Sequence, residues 1–306
     1  MLIFRGGTME DGSPSQTALM VAVLRAHHCH LAPEPKILQD TTALPLSGMA
    51  DLDAVKDYKN GVIEFFSGLS SRAVAESFVQ QITDSVCMRS RLVEERLTEA
   101  RTQGLEQLVI LGAGLDSTAY RCAAQLDGVP VFEIDHPATQ QWKKTRLTEC
   151  NIDLPDNLQF VGFDFENQTL AEALEAGGVR SDAVTMFTWL GVQMYLTPAT
   201  VQATLAVLGK FPSGSQLIMD FAMPDATHPD EELQDPVGEL NRVVSEMGEP
   251  FESTYTEQQL EDCLKSAGFT DVSFYTAGRI LDSYLEGNRD ICSVPDEACF
   301  LLAATV

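Results

Sequence analysis

Apolar and polar positions follow two different patterns along the chain, and the change falls at Gly104. Before this glycine, apolar residues recur at helical spacing in two long segments, which predict helices at 16–31 and 71–103. Ser15 is placed to cap the first helix, and Gly104 is placed to end the second. The first hundred residues are therefore predicted to be helical.

After Gly104, short β-rich runs alternate with helical patterns. Seven runs predict strands: LVILG (108–112), VPVFEID (129–135), LQFVGFD (158–164), AVTMFTWLG (183–191), SQLIMDF (215–221), VSFYT (272–276) and CFLLAATV (299–306). Helical patterns lie near 115–127, 137–150, 168–177, 197–209 and 256–267. Uninterrupted apolar runs that alternate with helices are typical of a doubly wound parallel α/β sheet. The last two runs predict a terminal antiparallel pair at the sheet edge.

These patterns divide the chain into a helical cap at 1–104 and a sheet region at 105–306. Within the sheet region, the stretch from Pro224 to Asp262 holds twelve acidic residues and a single basic one. The stretch follows the fifth strand, and open α/β sheets bind ligands beyond their strand ends. We expect either a lid insertion at 224–255 or a solvated surface excursion, and both interpretations stay open.

Charge and cysteine content exclude several classes of partner. The 306 residues include 20 Lys and Arg against 45 Asp and Glu, a formal net charge of −25, which disfavours nucleic acid and anionic membrane surfaces. No apolar run approaches the roughly 18–20 residues of a membrane span, and the first residues do not form a signal peptide. Seven scattered cysteines without a C-x-x-C pair predict reduced thiols and a cytoplasmic location.

A histidine cluster near the start of the chain does not predict a metal site. His27, His28 and His30 lie on one predicted helix. Adjacent helical residues point about 100° apart and cannot converge on one ion. We expect no metal.

The first strand runs into a tight turn that is the strongest chemical signal in the chain. Gly112 and Gly114 allow a ligand to approach the backbone closely. A dinucleotide site needs a third small residue, Gly or Ala, where this chain has Ser117. Asp116, in the first turn of the next helix, would compete with a pyrophosphate but suits a ligand with cationic groups. S-adenosylmethionine carries an ammonium and a sulfonium group and fits this pattern.

Two further strands end in acidic residues. Asp135 ends the second strand, where an acid is placed to bind ribose hydroxyls, and Glu133 is the alternative. Asp164 ends the third strand beside Phe165, and this pair offers a carboxylate and an aromatic face to adenine. The alternative for that pair is a helix cap and a core aromatic residue.

Six segments of the chain together resemble the leucine carboxyl methyltransferase family of S-adenosylmethionine-dependent enzymes, with its bacterial and natural-product O-methyltransferase branch. They are SQTALMVAVLRAHH (15–28), MRSRLVEERL (88–97), VILGAGLDSTAYR (109–121), VFEIDHPATQQWKKTRL (131–147), VGFDF (161–165) and TWLGVQMYLT (188–197). The resemblance implies a class I methyltransferase fold, which is a Rossmann-like, mostly parallel seven-stranded sheet with an antiparallel C-terminal strand. The helical pattern before Gly104 and the acidic stretch after the fifth strand add an N-terminal helical cap and a lid insertion to this expected fold.

The resemblance also implies roles for individual residues in cofactor binding. Arg89 would hold the methionine carboxylate, with Arg91 as the fallback, because a guanidinium binds a carboxylate through two hydrogen bonds. Gly112 would lie against the methionine part, Asp135 against the ribose, and Asp164 with Phe165 against the adenine. Many relatives have a Glu where this chain has Leu190, and that cofactor contact is not expected here.

Two residues are candidates for the reaction itself. His136 follows Asp135 at the strand end and is a candidate general base, with capping of the next helix as the alternative. Tyr195 is a candidate for the substrate or methyl pocket, with a core position as the alternative.

The activity implied is O-methylation of a carboxyl or hydroxyl group on a small molecule, such as a polyketide or peptide natural product. S-adenosylmethionine is the expected cofactor and S-adenosylhomocysteine the product. The alternatives are a protein C-terminal carboxyl methyltransferase, a non-catalytic cofactor-binding partner protein and a nucleotide-dependent oxidoreductase. The sequence does not predict an oligomeric state.

Overall fold

Side-chain caps begin three of the four described helices that precede the sheet. The computed structural model describes residues 15–68, 71–163, 168–224, 245 and 250–306. The Ser15 hydroxyl accepts the N–H of Ala18 at 3.3 Å, and the Ser71 hydroxyl accepts that of Val74 at 3.4 Å. The four helices are α1 (Gln16–Leu31), α2 (Ala43–Ser47), α3 (Leu52–Ser67) and α4 (Arg72–Thr102). The predicted helices at 16–31 and 71–103 are confirmed to within a residue.

Seven strands form one sheet in the described part of the chain. They are β1 (Gln107–Leu111), β2 (Val131–Asp135), β3 (Leu158–Gly162), β4 (Thr185–Trp189), β5 (Gln216–Asp220), β6 (Asp271–Thr276) and β7 (Cys299–Thr305). Their order is β3-β2-β1-β4-β5-β7-β6. The first five are parallel to one another, and β7 is antiparallel to both β5 and β6. The predicted fold class is confirmed, with β6 as the outermost strand.

Helices connect the strands as the alternating pattern predicts, with two differences. The helices are α5 (Thr118–Arg121), α6 (Pro137–Glu149), α7 (Leu170–Ala176), α8 (Pro198–Leu208), α9 (Glu257–Ala267) and α10 (Ala277–Tyr284). The pattern near 115–127 overestimated α5, because the chain after Cys122 continues in turns. The helix α10 is not predicted by the sequence pattern, and its polar cap Thr276 accepts the N–H of Arg279 at 3.4 Å.

The sheet has an apolar core on each face, because alternate residues of a strand point to opposite sides. On one face, Leu108 and Ile110 of β1 belong to a core with apolar residues of α1, α3, α4 and α10. On the other face, Val109 and Leu111 belong to a core with residues of α7, α8 and α9. The first core is continuous across residue 104, so the preceding helices and the sheet share one interior.

The predicted boundaries have different outcomes. The division into 1–104 and 105–306 falls in the loop between α4 and β1 and stays a prediction. The predicted lid at 224–255 lies largely outside the described residues. No helix in the described part of the chain is long and apolar enough to cross a membrane. All seven cysteines are free thiols.

Candidate functional site

The carboxyl ends of four parallel strands meet at one edge of the sheet. In the register of the sheet, Leu111 of β1 pairs with Ile134 of β2 on one side and with Trp189 of β4 on the other. Trp189 in turn pairs with Met219 of β5. The residues that follow these positions therefore lie side by side: Gly112, Asp135, Leu190 and Asp220. This edge is the candidate site.

The turn after β1 depends on glycine for its shape and its contacts. Gly112 has φ +63° and Gly114 has φ +47°, both in the left-handed region that favours glycine. A Cβ atom at Gly112 would overlap the side chain of Val192, which follows β4. The Gly112 N–H donates to the Ile134 carbonyl at 2.8 Å. The turn is thereby held close against the ends of β2 and β4.

Asp135 lies at the edge with both carboxylate oxygens in use. One oxygen accepts the N–H of His136 at 2.6 Å, and the other accepts the N–H of Gly114 in a short hydrogen bond. Burial raises the pKa of Asp135 above its usual value, and these two N–H groups offset part of that effect. Each carboxylate oxygen keeps acceptor capacity, so Asp135 can also bind a pair of hydroxyls.

Glu133, the alternative to Asp135, lies inside the sheet. Its carboxylate pairs with the Lys143 ammonium at 2.6 Å, and both side chains are only 1% exposed. Burial raises the pKa of Glu133 to about 7, against the lowering effect of Lys143. This carboxylate is already paired in the interior, which favours Asp135 for the ribose.

Asp116 follows the glycine turn and faces several cations. Its carboxylate accepts the N–H of Thr118 at 2.7 Å. Burial alone would raise the pKa of Asp116, but the charges of Arg25, Arg121 and Lys143 outweigh it and lower the pKa below its usual value. Asp116 is therefore ionised at neutral pH, as binding of a cationic group requires.

Arg89 reaches the same edge from α4. Its guanidinium donates to the Asp220 carboxylate at 2.5 Å, and the N–H of Gly191 donates to the other Asp220 oxygen at 2.7 Å. A Cβ atom at Gly191 would lie 2.9 Å from the Arg89 Nη2 atom, so a larger residue there would displace the guanidinium. The fallback, Arg91, pairs instead with Glu95 at 3.4 Å and is 39% exposed. The geometry favours Arg89.

The two candidates for the reaction occupy different positions. His136 caps α6, because its Nδ1 atom accepts the N–H of Ala138 at 3.2 Å. In this arrangement the proton sits on Nε2, which can donate but cannot accept. The half-buried ring of Tyr195 packs edge to face on Phe251, with centroids 5.5 Å apart. The catalytic roles of both residues stay predictions.

The structure does not test some of the predicted features. Asp164 and Phe165 lie outside the described residues, so their assignment to adenine stays a prediction. Within the described ranges, no group of His, Cys, Asp and Glu could hold a metal ion. Leu190 is partly buried and packs against the core that the N-terminal helices share with the sheet.

Several residues of the edge were missed in the sequence analysis. Asp220 ends β5 as Asp135 ends β2, so the rule of an acid at the strand end could have found it. Gln193 is fully buried and fixes the segment after β4 by donating to the Ser253 hydroxyl at 2.7 Å. Arg25 donates to the Leu115 carbonyl at 2.5 Å. The two residues are ninety positions apart, so no local sequence pattern predicts this contact.

Comparison with known proteins identifies a family and relatives for this chain. The profile of the family described as leucine carboxyl methyltransferase matches residues 18–209. YktD of Bacillus subtilis, classed by inference as an S-adenosyl-L-methionine-dependent methyltransferase, is 29% identical over 92% of this chain and 95% of its own. A protein of Mycobacterium avium of the same inferred class is 31% identical over 70% of this chain and 68% of its own.

One solved structure aligns with most of this chain. Human N-acetylserotonin methyltransferase in complex with S-adenosylmethionine aligns over 94% of this chain and 93% of its own, at 13% identity and a TM-score of 0.42. The seven-stranded topology and the sequence relatives define an S-adenosylmethionine-dependent methyltransferase of class I fold. The chain belongs to the leucine carboxyl methyltransferase family.

The polar groups at the edge fit this cofactor. A guanidinium such as that of Arg89 suits the carboxylate of the cofactor, and the ionised carboxylate of Asp116 suits its cationic groups. The carboxylate of Asp135 has spare acceptor capacity, which suits the ribose hydroxyls. Arg89, Asp116 and Asp135 are the residues that would hold these groups. Glycine at 112 keeps side-chain bulk away from the turn, as a close ligand approach requires.

Proposed function

We propose that the enzyme transfers the methyl group of S-adenosylmethionine to an oxygen atom of a small molecule, either a carboxyl or a hydroxyl oxygen. The match to a carboxyl methyltransferase family over residues 18–209 carries the proposal. The resemblance to the bacterial and natural-product branch supports a small acceptor, such as a polyketide or a peptide. Methyl transfer from a sulfonium is an in-line displacement, so the protein has to align the reactants and exclude water.

The surroundings of His136 favour a carboxyl acceptor over a hydroxyl. A carboxylic acid with a pKa near about 4 is ionised at neutral pH and needs no base. A hydroxyl needs a general base, which contributes about 10²–10⁴-fold to the rate. The His136 Nδ1 atom accepts the N–H of Ala138, so the ring has no lone pair to offer in this tautomer. This supports a carboxylate as the preferred acceptor.

The N-terminal helix supports the exclusion of water from the cofactor. A Cβ atom at Gly114 would lie 3.5 Å from the Cβ of Ala18, so α1 lies directly over the glycine turn. A covered turn keeps bulk water from the ligand and strengthens the electrostatic contacts made there. In this role α1 contributes to the cofactor site as well as to the fold.

An acceptor panel tests the proposal directly. The protein is incubated with S-adenosylmethionine and small carboxylic acids, phenols, alcohols or peptides with a free carboxyl end, and S-adenosylhomocysteine is measured by mass spectrometry. We expect turnover with a small acid and a product heavier by one methylene unit that releases methanol in mild alkali. Turnover with the peptides alone supports a peptide acceptor, and further turnover with the carboxyl end of an intact protein identifies a protein carboxyl methyltransferase. Cofactor binding without turnover on any acceptor identifies a non-catalytic protein.

The pH dependence of turnover separates the two oxygen acceptors. With a carboxylate acceptor, we expect kcat to be flat between about pH 6 and pH 9, because no group has to lose a proton. With a hydroxyl acceptor, kcat rises through the range of a histidine, and His136→Gln flattens the profile. A profile that rises in both the wild type and His136→Gln assigns the base to another residue.

A further inference from the structure

A buried ionic network joins the N-terminal helices to the glycine turn. Arg25 of α1 is 3% exposed, and Asp40, in the loop before α2, is fully buried. The two side chains approach to 3.4 Å. Arg121 of α5 lies 3.4 Å from the same Asp40 oxygen and also donates to Glu94 of α4 at 2.8 Å. Two cations and two carboxylates thus balance one another inside the protein.

The network contacts the turn at two points. The Arg25 guanidinium donates to the Leu115 carbonyl at 2.5 Å and to the Ser117 hydroxyl at 3.3 Å. The Ser117 hydroxyl donates to Asp40 at 2.7 Å. Ser117 is fully buried, so water cannot replace these partners. The carbonyl and the hydroxyl lie on either side of Asp116.

The turn is therefore held from both directions. On the sheet side, the N–H groups of Gly112 and Gly114 donate to Ile134 and Asp135. On the helix side, Arg25 and Asp40 hold Leu115 and Ser117. Two glycines give this turn more backbone freedom than other residues would, so contacts with neighbouring groups help to keep it in one conformation.

We infer that Arg25 is a positioning residue for the cofactor site, since it sets the conformation of the turn from Gly112 to Ser117. Through this contact, α1 is coupled to the affinity for S-adenosylmethionine. The inference rests on the cofactor lying against the glycine turn. A displaced turn misaligns ligand contacts, and misplacement of about 1 Å costs up to about a hundredfold in rate or affinity.

The test compares a variant of Arg25 with a variant of a second buried cation. Arg25→Met removes the contacts to the turn and keeps most of the side-chain volume. Lys59→Met is the matched control: Lys59 lies on α3, is 8% exposed and donates to Gln80 at 2.9 Å, with no contact to the turn. Binding of S-adenosylhomocysteine is measured by calorimetry below the unfolding temperature of each variant, and KM is measured for cofactor and acceptor.

We expect Arg25→Met to raise the Kd for S-adenosylhomocysteine by about tenfold or more, and to raise KM for S-adenosylmethionine with little change in KM for the acceptor. Lys59→Met should lose thermal stability and keep the wild-type Kd. Wild-type Kd in folded Arg25→Met, or an equal loss in Lys59→Met, would overturn the inference. An unchanged Kd in Asp135→Asn would instead contradict the proposed position of the cofactor against the glycine turn.

A milder variant keeps the inference testable if Arg25→Met does not fold. Ser117→Ala removes only the hydroxyl that links Arg25 to Asp40 and Arg121. We expect it to raise the Kd by a few-fold, and less than additively when it is combined with Arg25→Lys, because both substitutions loosen the same turn. Wild-type affinity in Ser117→Ala, or full additivity in the double variant, would count against the network.

Discussion

Three acidic side chains at or near the sheet edge differ in their partners, and the partners decide which carboxylate can bind a ligand. Glu133 is paired with Lys143 in the interior, and Asp220 is paired with Arg89. Asp135 accepts hydrogen bonds from backbone N–H groups only, among the contacts described. Such contacts hold the carboxylate in place without neutralising its charge, so Asp135 is the best prepared of the three to bind hydroxyls.

Substitution of Asp135 is expected to weaken cofactor binding with little loss of stability. Asp135→Asn keeps the shape but turns an amide NH2 towards one of the two N–H donors. We expect a Kd for S-adenosylhomocysteine about ten- to a hundredfold higher. Glu133→Gln, two residues earlier on the same strand, is the control. It should lose about 3–5 kcal/mol of stability, because Lys143 is left buried without its partner, and should keep its Kd.

Substitutions in the ion pair of Arg89 and Asp220 are expected to affect the stability of the protein and its binding of cofactor separately. Arg89→Met leaves the Asp220 carboxylate, only 6% exposed, with the N–H of Gly191 as its remaining partner. We expect a loss of about 1–3 kcal/mol in stability together with weaker binding of S-adenosylmethionine. Adding Asp220→Asn removes the unpaired charge and should restore much of the stability but none of the affinity. Unchanged binding in Arg89→Met would transfer the carboxylate role to another cation, such as Arg91.

At this scale the sequence predicts strand ends well and long-range partners poorly. The positions of Gly112, Gly114, Asp116 and Asp135 at one edge follow from strand pattern alone, because parallel strands end together. The sequence already favours Asp135 over Glu133, because Asp135 ends the strand, and the pairing of Glu133 with Lys143 of α6 supports that choice. Which cation pairs with which carboxylate depends on how the helices pack on the sheet. The spacing of residues in the sequence does not encode these pairs.

Among the elements, α1 combines three functions along its length. Its first turn places Ala18 over the glycine turn, its middle presents Arg25 to the ionic network, and its last turns bury His28. The His28 Nε2 atom accepts the N–H groups of Ile37 and Leu38 at 3.1 and 3.4 Å. A histidine that accepts hydrogen bonds in the interior must be neutral in the folded protein.

Because His28 is neutral in the folded protein, we expect the stability of the protein to depend on pH. Burial, with smaller effects from Lys36 and Lys59, lowers the pKa of His28 from 6.5 to about 4. Between these values the unfolded chain binds the proton that the folded chain excludes, so stability falls as the pH falls below 6.5. The loss from His28 is about 2 kcal/mol between pH 6.5 and pH 5.

Urea unfolding at pH 5 and pH 7 measures this effect. His28→Gln keeps an acceptor for the backbone N–H groups without titrating, so its stability should change less over the interval than that of the wild type. His30→Gln, an exposed residue of the same helix, is the control and should behave as the wild type. Glu133 has a raised pKa and the opposite pH dependence, but it is common to all three proteins and cancels. Equal pH dependence in all three would contradict the prediction.

Elements are predicted most reliably where their pattern is long. The helix α4 and the five parallel strands match their predictions to within two residues, because capping residues and uninterrupted apolar runs are local signals. Two short helices, α5 and α10, were poorly predicted. A helix of four or eight residues shows too few turns of periodicity to stand out, and tertiary contacts decide where it ends.

For the whole molecule, the continuous core predicts that the N-terminal helices and the sheet unfold together. The only two tryptophans, Trp142 and Trp189, lie in α6 and β4, so fluorescence reports on the sheet region. The far-ultraviolet circular dichroism is dominated by long helices, of which α1, α3 and α4 precede the sheet. We expect the two signals to give coincident unfolding transitions in urea.

A substitution in α4 sharpens this prediction. Leu97 is fully buried in the shared core, and Leu97→Ala should cost about 2–5 kcal/mol. If the core is one unit, the variant shifts the fluorescence and circular dichroism transitions by the same amount. A circular dichroism transition that moves alone would mean that the helices unfold independently, and would support the division at residue 104.

The position of β7 has a consequence for the synthesis of the protein. This strand lies between β5 and β6, yet it is the last of the seven described strands to leave the ribosome. Until it arrives, β5 presents an open edge and β6 has no neighbour in the sheet, so the nascent chain exposes unpaired backbone groups that other chains can bind. A chain that ends after residue 298 would therefore lack β7 and keep the edges of β5 and β6 unpaired, and such chains are the ones that we expect chaperones to retain.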